Sequence, residues 1–122
     1  MPATYSIEGR IEAGLRELQC SGRNFLKIAK ALGVSISDGK FSEALNDKGR
    51  LDTTIGEKLL DLVKEMCDLQ TVVPGTPLDW SRVDVVPVLM MERRAIKLAV
   101  EDDIERVRKL LGVENVGATD SN

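Results

Sequence analysis

The chain has 122 residues, 43 % of them hydrophobic and 30 % charged, and a net charge of −3. This balance excludes wholesale disorder and points to one compact domain with a small appendage. Histidine is absent and Cys20 and Cys67 stand alone, so tetrahedral zinc lacks its usual ligands, and no metal or cofactor is expected.

In chain order, Ile7, Ile11, Leu15 and Leu18 recur at helical spacing behind Ser6, which predicts a first helix over 6–19. Gly9 and Gly14 are its weak points, and Gly22 punctuates the chain. A second helix is predicted over 24–32, with Asn24 as its cap, Phe25, Ile28, Ala29 and Leu32 on its apolar face and Lys27 and Lys30 on the other. Gly33 suits the left-handed stop position that follows. A short third helix over 38–46 points Phe41, Ala44 and Leu45 inward, with Ser37 or Asp38 as cap. The polar turn NDKGR leads to the firmest helix, 54–68, where Thr54 and Glu57 match a capping box and Ile55, Leu59, Leu62, Val63 and Met66 form a stripe.

QTVVPGTPLD, residues 70–79, has two prolines and a glycine and reads as a linker. Beyond it, Asp84 is expected to cap a helix carrying Pro87 in its first turn and reaching about Val100. Asp102 and Glu105 suggest a fresh start before IERVRKLL, which stops at Gly112. The expected fold is all-α: a bundle over 5–69, the linker, a helical extension over 80–112 and a frayed tail over 113–122.

No apolar run approaches about 18 residues, so nothing is expected to span a membrane. The first 25 residues lack a basic start followed by an apolar stretch, so no secretory leader is expected and the cytoplasm is the predicted compartment. No histidine base, GxSxG element or glycine-rich phosphate loop is present, and no enzyme is expected.

FLKIAKALGVS followed by FSEALNDKGRLDTTIGEKLLDLV resembles the phage-repressor-like, or Xre-type, helix-turn-helix family over roughly residues 6–68. Ala29, Leu32, Gly33, Val34, Leu45, Asn46, Lys48, Arg50 and Leu59 stand at matching places. The sequence departs from that pattern in ISDGK, which puts five residues between Ser35 and Phe41 where the family has about three. The resemblance implies a transcriptional regulator, phage or mobile-element encoded, that binds double-stranded DNA as a homodimer. It implies Lys40, Ser42 and Glu43 on the base-reading face, Asn46, Lys48 and Arg50 near the sugar-phosphate backbone, and Asn24 and Ser35 at helix N-termini facing phosphate.

Charge supports this only weakly. Residues 1–58 carry nine basic and eight acidic side chains, and residues 59–122 carry eight and twelve. The acidic balance, Asp38 and the lengthened turn favour an alternative, a helix-turn-helix-like module or adaptor that binds another protein, as an antitoxin does. In the extension, Leu89, Ile96, Val100, Ile104, Val107 and Leu111 recur at three, four or seven residues. They are expected to form a self-association interface, with fold-back on the bundle as the alternative. Trp80 is expected to plug the linker onto the core, its other reading being an interface anchor.

Overall fold

A computed structural model of the chain describes residues 6–46 and 50–111. Every regular element among them is an α-helix: α1 (Ile7–Leu18), α2 (Gly22–Ala31), α3 (Asp38–Leu45), α4 (Thr53–Gln70) and α5 (Val86–Leu111). The fold is all-α, and the first four helices start and stop within two residues of the spans predicted from apolar spacing, save at their caps.

Those caps follow the local chemistry of small oxygen-bearing side chains. Ser6 Oγ accepts from the Gly9 N–H at 2.9 Å, Ser21 Oγ from Asn24 at 3.1 Å, and Ser37 Oγ from Lys40 at 3.2 Å. Two predicted caps are thereby corrected. Asn24 lies inside the first turn of α2, and Ser21 is the cap; Gly22, read as punctuation, is the first helical residue. Asp52, rather than Thr54, caps α4, its carboxylate accepting from Thr54 and Ile55. A carboxylate also complements the positive end of the helix better than a hydroxyl does.

Gly33 closes α2 as expected. Its φ of 93° lies in the left-handed region, and Val34 N–H donates to Ala29 O at 2.9 Å while Gly33 N–H donates to Lys30 O. Two otherwise unpaired carbonyls are satisfied, and the chain turns. α1 stops the same way at Gln19, whose φ of 60° is costly for a residue with a Cβ.

One continuous core joins α1 through α4, centred on Ile11, Phe25, Ile28, Leu59 and Met66. Gly14 explains itself here: a methyl group at that position would overlap Val63 Cγ1, so α1 and α4 approach closely only because Gly14 has no side chain. Glu8 is the one charged residue buried among the described residues, at 8 % exposure. Its carboxylate accepts from the Leu51 N–H at 2.9 Å and stands 3.8 Å from the Arg50 guanidinium, tying α1 to the segment before α4. Burial opposes its charge, but the Leu51 and Glu8 N–H groups, Arg50 and Ser6 outweigh burial and hold the carboxyl below the usual range.

The predicted division at 70–79 is corrected. Residues 71–85 are non-helical, but Gln70 pins them, its Nε2 donating to Thr76 O at 2.6 Å and its Oε1 accepting from Leu78 N–H at 3.0 Å. Trp80 is 2 % exposed and belongs to the same core, as do Val86 and Met90. Its Nε1–H has no hydrogen-bond partner among the described residues. Trp80 is therefore a core plug and is not exposed to anchor a second copy. The first compact unit accordingly runs to Met90, and the second begins at Met91, inside α5. α5 is also unbroken where a restart at Asp102 was expected. Pro87, its second residue, is tolerated because its missing N–H has no partner to lose in the first turn.

Candidate nucleic-acid interface

The corner made by α2, residues 32–37 and α3 is the feature that the resemblance singles out. Gly33 ends α2, Ser37 starts α3, and Val34 and Ile36 pack partly against the core, which seats the turn. α3 buries Phe41, whose ring centroid lies 5.8 Å from that of Phe25, and Ala44. Those two residues fix which face of the short helix is outward. Lys40, Ser42, Glu43 and Asn46 are all exposed on it.

The remaining predicted contacts are distributed less simply. Asn46 Nδ2 donates to Ser42 Oγ at 3.4 Å, so these two hold each other. Ser35 is exposed in the turn rather than at a helix start, and Asn24 spends its backbone N–H on Ser21. Arg50 keeps a 72 % exposed side chain but leans on Glu8. Lys48 lies outside the described residues.

Two shallow concave surfaces share Ser35 and Ile36. The first, about 520 Å³, sets Lys40 and Arg50 beside Glu43 and Asp52, so its charges cancel. The second, about 390 Å³, gathers Arg23, Lys27 and Lys30 against the single acid Asp38. These three basic residues are exposed and fall at i, i+4 and i+7, a single row along α2 opposite Phe25, Ile28 and Ala29. The most basic stretch at the corner is thus on α2, which positional matching to the family did not single out. Its signal was present in the spacing of Arg23, Lys27 and Lys30.

Chemically, such a row can hold phosphate or carboxylate oxygens, and an exposed α3 face of Lys, Ser, Glu and Asn can exchange hydrogen bonds with base edges or with another protein. Neither cysteine is poised as a nucleophile. Burial pushes the Cys20 thiol up to about 11, and burial with Glu17 and Asp68 nearby raises that of Cys67. Among the described residues no helix is long and apolar enough to cross a membrane. No family model, curated protein or solved structure matches the chain.

Proposed function

We propose that the chain is a DNA-binding regulator of helix-turn-helix type, with α3 entering the major groove of double-stranded DNA and α2 lying across the sugar-phosphate backbone. The observation that carries this reading is the basic row Arg23, Lys27 and Lys30 on the outer face of α2, beside the outward polar face of α3. In this arrangement the first helix of the corner sets position, and the second supplies base contacts through Lys40 and Ser42. Glu43 accepts from a cytosine amino group in the same scheme. Two copies reading two half-sites offset the weak affinity of a corner with so little net charge.

Mobility-shift assays on duplexes from around the gene test it. Wild-type protein is expected to prefer one site over unrelated duplex, and Lys40→Ala and Ser42→Ala are expected to relax that preference. Equal affinity for all sequences in every variant would remove α3 from the groove.

A second reading is favoured by one observation. Asp38, Glu43 and Asp52 alternate with Lys40 and Arg50 around the α3 face, a mixed surface that suits a protein partner better than a polyanion. In that case DNA is not retarded even at low salt.

A further inference from the structure

We propose that α5 beyond Met90 is a self-pairing helix, built to bind a second copy of this chain in parallel orientation. This goes beyond the dimer that the DNA reading calls for and does not rest on it. Ile96, Val100, Ile104, Val107 and Leu111 are all exposed, from 45 % at Val107 to 72 % at Leu111. At 100° per residue they fall within an arc of about 80°, a single stripe along the helix. Two positions of the stripe recur after eleven residues, Ile96 at Val107 and Val100 at Leu111, while Arg93 stands eleven before Ile104 at its head. Eleven residues in three turns almost match the natural helical pitch, so two such helices pair nearly straight.

The flanks repeat with the same period. Glu92 and Asp103 border one edge of the stripe, and Lys97 and Arg108 border the other. Every one of these four side chains is exposed. The existing bridges of Asp103 to Arg106 and of Arg108 to Glu105 are exposed intrahelical pairs, at 3.6 and 3.8 Å, weak enough to exchange partners.

This asymmetry decides the orientation. In a parallel pair related by a two-fold axis along the helices, the acidic edge of one copy faces the basic edge of the other. Glu92 then meets Lys97 of the second copy, and Asp103 meets Arg108, each five residues further along. In an antiparallel pair, acid faces acid along one side and base faces base along the other. A flat apolar partner would need neither edge, whereas a second copy uses both.

Sedimentation of the full chain at several concentrations tests the proposal. Wild type is expected to be a dimer. Glu92→Lys with Asp103→Lys, and separately Lys97→Glu with Arg108→Glu, are each expected to raise the dissociation constant about tenfold or more. Mixing the two variants is expected to restore a one-to-one dimer, and the fourfold swap a homodimer. Circular dichroism checks that each variant is folded, which exposed substitutions permit. Val107→Cys is expected to form a symmetric intermolecular disulfide under mild oxidation, with the wild-type chain as control for Cys20 and Cys67. A wild-type monomer, half-reversed variants that still self-pair like wild type, or failure of Val107→Cys to cross-link would each overturn it.

Discussion

The chain spends its apolar residues in two opposite ways. In the unit ending at Met90, Ile11, Phe25, Ile28, Leu59 and Met66 are sealed from water, and Glu8, the one buried carboxylate among the described residues, has an N–H and an arginine as partners. In α5 from Met91 onward, every described residue but Arg94 is exposed, and the apolar ones lie in open view. The first region gains its stability from burial within one chain. The second has the same kinds of residues at similar helical spacing and gains almost nothing from them alone. Apolar periodicity therefore announces a helix with a face to cover, but not whether the cover comes from the same chain.

The most severe way to break this contrast is truncation. A chain ended after Leu69 loses Trp80, Val86 and Met90 from the core and is expected to lose its cooperative thermal transition. A chain ended after Met91 keeps all three and is expected to melt cooperatively. Calorimetry of the two distinguishes a bundle closed by Leu69 from one that needs residues up to Met90.

Single substitutions sharpen the same comparison. Leu59→Ala is expected to cost about 2–5 kcal/mol by lost burial and a cavity, whereas Ile96→Ala in α5 should leave the stability of the first unit within about 0.5 kcal/mol. Chemical denaturation followed by Trp80 fluorescence reports on that unit. Equal losses would mean that Ile96 is sealed in the same core.

Glu8→Ala is expected to cost about 1–3 kcal/mol at neutral pH, because it strands the part-buried Leu51 N–H. Since the folded state lowers the Glu8 pKa, its contribution is fully present above the unfolded value, about 4.3, and is lost as the pH falls through the lower folded value. The stability gap between wild type and variant should therefore narrow in acid. A gap that stays constant from pH 7 to pH 3 would assign the loss to packing instead. The smallest effect is a gain: Gln19→Gly relieves a left-handed backbone position and should stabilise by up to about 1 kcal/mol in the same denaturation experiment.

The helices of the first unit were legible because stripes such as Ile55, Leu59, Leu62, Val63 and Met66 report a buried face directly, and Gly33 reports a stop. The end of the core was not legible. Pro74 and Pro77 read as a boundary, but nothing in local composition reveals that the Gln70 side chain holds the following turn or that Trp80 is drawn into the core behind it. Asp102 with Glu105 looked like a new helix start. In the unbroken α5 the neighbouring Asp103 and Glu105 instead pair with Arg106 and Arg108 one turn on. At the helix corner, the outward positions of Lys40, Ser42 and Glu43 followed from burial of Phe41 and Ala44. The pairing of Arg50 with Glu8 joins residues far apart in the chain, and no local pattern carries it. The basic row on α2 is legible in the i, i+4, i+7 spacing of Arg23, Lys27 and Lys30, although none of the three stands at a position matched to the family.

If the α2–α3 corner grips a phosphate backbone, its affinity for a duplex must fall with salt, and the salt dependence measures that grip directly. Fluorescence anisotropy with labelled duplex DNA, repeated across a range of salt concentrations, yields the slope of log affinity against log salt. Arg23→Ala, Lys27→Ala and Lys30→Ala are each expected to weaken binding on all sequences alike and to reduce the slope by about 0.9, one phosphate contact apiece. A duplex that is not bound at low salt, or slopes that are the same in all three variants as in wild type, would mean that the corner does not hold phosphates.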